Sequence, residues 1–314
     1  MDIIILIVSL LGIIYGADYL VIGSVSIARR FKISDFVIGA AIVGVGTSMP
    51  ELVVSFMGAL EGNSDVAIGN IVGSNIFNVL GILGFTAMLF PVTVTKKNMK
   101  YELPVCIGVS ALLALMVFNP MNQGKFIISR FDGIILLLCF AMYMWYSFRR
   151  DIKHQEDAEI DVDKDEIPLW LAFVTVFGGL IALIVSCNVF VDTAVELARS
   201  FGVSDAFISL TLIACGTSLP ELAASIAAAR KKNTQLALGN IIGSNIFNIT
   251  WILGLSAQVM PLNSSDITMV DYGVMIVASI VPLLLGIKGK ITRFSGLLMF
   301  LSFIIYTIYL LEIQ

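Results

Sequence analysis

The sequence predicts an all-α membrane protein of ten transmembrane helices, arranged as two inverted five-helix repeats in which helices 2 and 7 are broken. Three observations predict it. Hydrophobic residues make up 58% of the chain and charged residues 13%, with a mean hydropathy of +0.96, a balance outside that of a soluble domain. Ten apolar stretches, at 3–28, 35–60, 66–90, 101–118, 131–148, 168–198, 205–229, 236–261, 268–287 and 292–312, are each long enough for the roughly 20 helical residues that cross a hydrocarbon core. One phrase also occurs twice: GTSMPE at 46–51 with GNIVGSNIFN at 69–78, and GTSLPE at 216–221 with GNIIGSNIFN at 239–248, every matching pair 170 residues apart. The loops are too short for a soluble domain, so the function sits within the membrane.

Taken in order, the first stretch has no Lys or Arg before it and is too long for a signal-peptide core, so it reads as a retained helix. The similarity of the halves begins ahead of the motifs, ARRFKISDFVIG at 28–39 matching ARSFGVSDAFIS at 198–209, and fades in helices 4, 5, 9 and 10, which read as scaffold. Loops after the odd-numbered helices hold 16 of the 19 basic residues, leaving only Lys125, Arg130 and Arg199 on the other side. The bias puts those loops in the cytoplasm and both termini outside, in a cell (inner) membrane. Five helices per repeat is an odd number, so the second repeat enters from the opposite side, a common transporter plan. The repeats are expected at 1–148 and 168–314, joined by a cytoplasmic acidic linker at 149–167. Asp161, Asp163 and Asp165 in that linker do not make an EF-hand, because Glu166 stands where the loop needs glycine and Ala172 where it needs a glutamate. Trp145 and Trp170 read as interface anchors and Trp251 as packing. The four cysteines read as small buried apolar residues, and Asp18, Asp192 and Glu196 as local helix partners or residues of a water cavity. The net charge of −4 implies no nucleic-acid partner, and no obligate protein partner is evident.

The chemistry lies in the repeated phrases. Thr47 and Glu51 are four apart on one helical face, with Ser48 beside them, and Thr217, Ser218 and Glu221 repeat the pattern. Pro50 and Pro220 cannot donate one turn back, which frees carbonyls near 44–47 and 214–217. Ser74 with Asn78, and Ser244 with Asn248, add neutral oxygens on one face of helices 3 and 8. The glycines at Gly69, Gly73, Gly239 and Gly243 let helix backbones approach. An acid near the bilayer centre costs about 2.5–3.5 kcal/mol, so its presence at equivalent points of both repeats needs a reason, a bound cation ahead of a protonated acid satisfied by hydrogen bonds. Carboxylate, hydroxyl and carbonyl oxygens together suit a hard cation. Two converging carboxylates repel; one Ca2+ would neutralise them, whereas monovalent ions must enter at least in pairs.

With its two GTS(M/L)PE motifs, two GSNIFN motifs and ten-helix inverted plan, the chain resembles the cation/calcium exchanger family, specifically its compact prokaryotic sodium/calcium exchangers. The likeness spans essentially the whole chain, with its specific part at 39–80 and 209–250. It implies Glu51 and Glu221 as calcium ligands shared with sodium, helped by Thr47 and Thr217. It also implies sodium ligation by Ser74, Ser244 and the backbone oxygens of Gly44 and Ala214, with Asn78 and Asn248 at the centre. Several relatives carry an aspartate where Asn248 stands, which weakens a potassium requirement here. Gly44 stands where alanine is usual, and a backbone oxygen serves either way.

The reading is therefore a secondary antiporter exchanging Ca2+ for Na+, with those ions as substrates, the bilayer as solvent and no cofactor. A Ca2+/H+ antiporter using the same two glutamates is the alternative, disfavoured by the hydroxyls and amides, which a proton does not need. A cation channel fits a single central acid pair less well. An intramembrane enzyme is excluded, because the only histidine, His154, is in the linker and no HExxH pair exists.

Overall fold

In lipid every backbone group must be paired within its own segment, and the computed structural model, which describes residues 2–118, 127–155, 167–201, 214–264 and 267–313, is almost wholly helical. In chain order the helices are α1 (Asp2–Arg30), the bent pair α2 (Asp35–Thr47) and α3 (Met49–Leu60), α4 (Ser64–Leu89), α5 (Asn98–Val117), α6 (Arg130–Gln155), α7 (Leu169–Ser200), α8 (Leu219–Arg230), α9 (Thr234–Val259), α10 (Met269–Leu285) and α11 (Arg293–Ile313). Among the described residues eight are long and apolar enough to cross a membrane, and α2 with α3 makes a ninth span bent by 50°. A short turn, Ala214–Gly216, precedes α8. Of the stretch expected at 205–229, positions 205–213 lie outside the described residues, as do Lys125 and positions 156–166 of the linker.

The break between α2 and α3 falls at Ser48 (φ −82°, ψ 12°), and the matching break before α8 at Ser218 (φ −93°, ψ 8°). Pro50 and Pro220 follow as second residues of α3 and α8. At a helix start their missing N–H is not needed and their fixed φ is already helical, so they begin new helices at the breaks expected in helices 2 and 7. Among the described residues four π-helical turns occur: Gly39–Gly44, Phe77–Leu83 and Asn248–Ile252 interrupt α2, α4 and α9, and Asn98–Glu102 opens α5. The apolar spacing alone does not predict them.

The centre is built on α9 and α4. In their most apolar windows 94% and 72% of residues are buried, against 22% for α1 and α7, which pair with each other along their lengths and share a buried core with α2 and α8. Because lipid tails are as apolar as a leucine core, close packing and not hydrophobicity holds such helices together. A Cβ at Gly243 of α9 would stand 2.4 Å from Ala40 Cα of α2, so this glycine acts as the sequence reading expected. Among the described residues nothing lies within 4 Å of a Cβ built at Gly73, and only the Ile267 side chain near Gly69; the segment that corresponds to α2 in the second half is mostly outside the described residues.

The correspondence between halves continues where the sequence similarity fades. The strands β1 (Val92–Thr93), β2 (Ile127–Ile128), β3 (Leu262–Asn263) and β4 (Lys290–Ile291) form two antiparallel pairs, β1 with β4 and β2 with β3. β1 and β3 are related by 170 positions, β2 and β4 by 163. The same change of register relates two helix contacts: Gly84 of α4 meets Gly296 of α11, and Gly254 of α9 meets Gly133 of α6. Each scaffold helix also opens on a Ser or Thr hydrogen-bonded to the residue three on: Thr95 with Asn98, Ser129 with Asp132, Thr268 with Asp271 and Thr292 with Ser295. A seven-residue difference in loop length hides this symmetry from a fixed-offset comparison.

Trp145 and Trp170 are exposed, while Trp251 packs against Phe140 and Phe247. Cys106 and Cys187 are buried, Cys139 and Cys215 half-buried. Asp192 and Glu196 are exposed on α7. Asp18 has its partners on another helix: it pairs with Arg230 at 2.5 Å and Lys231 at 3.4 Å.

Gly243→Ala is expected to cost about 1–3 kcal/mol by overpacking, read as a lower unfolding midpoint in detergent. Gly108→Ala, where a Cβ meets no described atom within 4 Å, is expected to leave the midpoint unchanged or raise it; equal midpoints for both variants would contradict this packing account.

Candidate cation site

The two helix breaks are tied to each other crosswise. Ser48 Oγ donates to Glu221 Oε1 at 2.8 Å, and Ser218 Oγ donates to Glu51 Oε1 at 2.7 Å. Both carboxylates are fully buried, as are Thr47, Ser48 and Ser218. Each acid stands in the first turn of its helix, α3 or α8, where unpaired N–H groups favour negative charge.

Two helices wall the site. From α4, Asn70 Nδ2 donates to the Glu51 carbonyl (3.2 Å) and Ser55 Oγ (2.9 Å). From α9, Asn240 Nδ2 donates to the Glu221 carbonyl (3.1 Å) and Ser225 Oγ (2.9 Å). Asn240 Oδ1 also accepts from Thr47 Oγ1 at 3.2 Å. The walls are clamped by four asparagines: Asn75 Nδ2 donates to the Asn245 carbonyl and Asn245 Nδ2 to the Asn75 carbonyl, both at 3.1 Å. Asn78 Nδ2 donates to Asn245 Oδ1 at 3.0 Å and Asn248 Nδ2 to Asn75 Oδ1 at 3.1 Å. Asn70, Asn75, Asn240 and Asn245, with Ser55 and Ser225, were not singled out from the sequence. Their signal was present, since each is a polar residue recurring 170 positions away inside an apolar span.

The clamp turns Asn78 and Asn248 so that their amide nitrogens are used and their Oδ1 atoms are not. Six side-chain oxygens here are buried with no hydrogen-bond partner among the described residues: Glu51 Oε2, Glu221 Oε2, Ser74 Oγ, Thr217 Oγ1, Asn78 Oδ1 and Asn248 Oδ1. Helix α3 contacts the π turn that begins at Asn248, and α8 contacts the π turn that holds Asn78. Such turns recur at functional sites because they re-aim side chains within a helix. A buried oxygen without a partner costs about 1–3 kcal/mol, more when charged. Four of the six, the two carboxylate and the two amide oxygens, only accept, and the two hydroxyls also keep lone pairs, so a cation can satisfy all six. Among the described residues no three His, Cys, Asp or Glu side chains cluster; the charge is the two carboxylates and the rest is neutral oxygen, the donor set of hard cations.

The remaining sequence candidates are engaged differently. Ser244 Oγ donates to the Gly44 carbonyl at 3.1 Å. That carbonyl also accepts from the Ser48 N–H at 3.1 Å and Thr47 Oγ1 at 3.4 Å. The proline therefore does not leave the Gly44 oxygen bare: the break comes one turn later, and Gly44 keeps its helical bond. Ala214 opens the turn before Thr217, and its side chain lies outside the described residues.

A family described as sodium/calcium exchanger protein matches residues 1–149 and 171–312. Among similar proteins, inner membrane protein YrbG of Escherichia coli is 39% identical over 290 residues, covering 89% of this chain and 87% of its own. Sodium/calcium exchanger MaX1 of Methanosarcina acetivorans is 30% identical over 346 residues, covering 98% of both. A solved structure of the sodium-calcium exchanger NCX_Mj superposes with a TM-score of 0.84 at 32% identity, covering 98% of each chain.

Asn75→Ala strands the Asn248 amide and is expected to cost about 1–3 kcal/mol of stability. The Asn75→Ala/Asn248→Ala double variant is expected to cost less than the sum of the singles, because each removes the side-chain partner of the other. Strict additivity in thermal unfolding would show that the clamp is not one unit.

Proposed function

The chain belongs to the sodium/calcium exchanger protein family, and from that premise we propose that it is a secondary antiporter exchanging Ca2+ for Na+, with Glu51 and Glu221 as shared ligands. The six buried acceptor oxygens without partners among the described residues carry this reading. The two carboxylates bring two negative charges; one Ca2+ balances them, and Na+ must bind at least twice to do the same. Thr47, Thr217, Ser48 and Ser218 complete the calcium shell. A serine hydroxyl that donates to a carboxylate keeps lone pairs for a cation, so the crosswise bonds hold the carboxylates in place without using up these oxygens. Ser74, Ser244, the carbonyls of Gly44 and Ala214, and the Oδ1 atoms of Asn78 and Asn248 supply the sodium positions. Ser244 and the Gly44 carbonyl serve when their mutual hydrogen bond opens.

The architecture we propose has ten helices in two inverted five-helix repeats, 1–148 and 168–314, with both termini outside and 149–167 in the cytoplasm. The exchange of strands between halves supports a two-fold relation, and the odd helix count with the distribution of cations supports inversion. An inner-membrane location fits the name of the Escherichia coli relative. Because α1 and α7 pack mainly on each other, they form the unit that rocks past a fixed site.

The test is uptake of 45Ca2+ by proteoliposomes holding the purified protein. Uptake is expected to follow an outward Na+ gradient, and to fall to background in Glu51→Gln and in Glu221→Gln while both variants stay folded. Uptake that follows a pH gradient without Na+ would move the chain to Ca2+/H+ exchange. Removing K+ is expected to change nothing, since Asn248 brings no third central acid; a strict K+ requirement would contradict that reading.

A further inference from the structure

The helix-to-helix turns after α3 and α8 have the same backbone and opposite charge. Residues 60–63 are Leu-Glu-Gly-Asn and residues 230–233 are Arg-Lys-Lys-Asn. In both, the last asparagine caps the next helix, Asn63 Oδ1 accepting from Val66 N–H and Asn233 Oδ1 from Leu236 N–H. In both, the third residue is left-handed: Gly62 at φ +80°, Lys232 at φ +62°. Glycine adopts this conformation freely and lysine does not, so the second half keeps a cation where the equivalent turn has the unstrained residue. Among the described residues the only other left-handed side chain is Lys32, in the loop between α1 and α2. Strain of this kind persists where a site demands it.

Lys232 lines an open cavity of about 590 Å3 between α1, the start of α2, β1 and the α8–α9 turn. Arg29, Lys231 and Lys232 line it against one carboxylate, Asp35, and α1 contributes Val21, Ile22 and Val25. Its polar wall is braced, Gln235 Nε2 donating to the Thr93 carbonyl and Thr93 N–H to Thr234 Oγ1. From Ile22 an exposed stripe runs up α1 through Tyr19 and Tyr15, at the spacing that keeps residues on one helical face. A cationic pocket that continues into a lipid-facing apolar stripe has the two-part chemistry of a phospholipid.

We propose that this cavity holds the headgroup of an anionic phospholipid, its phosphate among Arg29, Lys231 and Lys232 and an acyl chain along the Ile22, Tyr19, Tyr15 stripe. Basic pockets beside membrane helices take such headgroups. The lipid bridges α1 to the α8–α9 turn, next to the Asp18 to Arg230 ion pair, and so ties the rocking unit to the helix that carries Glu221. Which leaflet supplies it rests on the orientation proposed above; the binding does not, and its test uses no transport readout.

The experiment is native mass spectrometry of the purified full chain, titrated with phosphatidylglycerol or phosphatidylcholine of matched chain length. Preferential retention of phosphatidylglycerol is expected. Arg29→Gln and Lys232→Gly should each weaken it about fivefold, the contribution of one basic side chain near an anionic surface. Lys232→Gly relaxes the turn to the residue its counterpart already uses, so loss of binding cannot be loss of fold. Equal retention of both lipids, or unchanged retention in both variants, overturns the proposal. Displacement of the lipid by millimolar inorganic phosphate assigns the pocket to a soluble anion and overturns the lipid assignment.

Discussion

Two carboxylates buried in a membrane interior are the constraint on which the rest of the structure depends. Each costs several kilocalories per mole to place there, and the fold compensates by making each half complete the other. Ser48 serves Glu221 and Ser218 serves Glu51, so neither acid is held by its own repeat alone. The helix breaks follow from this need: a continuous helix would hold Ser48 and Glu51 one turn apart on one surface, whereas a bend at Ser48 sends the hydroxyl across to the other half and leaves the acid at a helix N-terminus.

The asparagine clamp is the second tier of the same design. Hydrogen bonds from Asn70 and Asn240 fix the backbone beneath each glutamate, and the exchange among Asn75, Asn245, Asn78 and Asn248 spends amide donors while reserving carbonyl acceptors. A site made this way is rigid and rich in acceptors, which suits a cation. Among the described residues the long pair α1 and α7 takes no part in this hydrogen-bond network; Asp18 of α1 pairs instead with Arg230 and Lys231.

Much of this was legible in the sequence because the two halves annotate each other. Polar residues recurring at 170-residue spacing marked Glu51, Glu221, Thr47, Thr217, Ser74, Ser244, Asn78 and Asn248 before any geometry was known. The same signal covered Asn75 and Asn245, but helical spacing from the glutamates offered no reason to choose them; their role appears only when α4 and α9 face one another. The π turns were not legible, since one inserted residue leaves apolar periodicity almost unchanged. The scaffold symmetry was hidden for a simpler reason, a shift in offset from 170 for strands β1 and β3 to 163 for β2 and β4. The Gly44 carbonyl shows where a local rule misleads: proline removes a donor, but the chain bends at Ser48 and Gly44 keeps its bond.

Ca2+ and Na+ are proposed to neutralise the same two carboxylates in turn. Equilibrium binding of Ca2+ to the purified protein, measured across a Na+ titration without any gradient, tests it most directly. The account predicts one Ca2+ per chain, displaced by Na+ with a Hill coefficient above 1, and no high-affinity Ca2+ in the Glu51→Gln/Glu221→Gln double variant. Ca2+ that stays bound at saturating Na+, or that binds the double variant as tightly as the native chain, would contradict it.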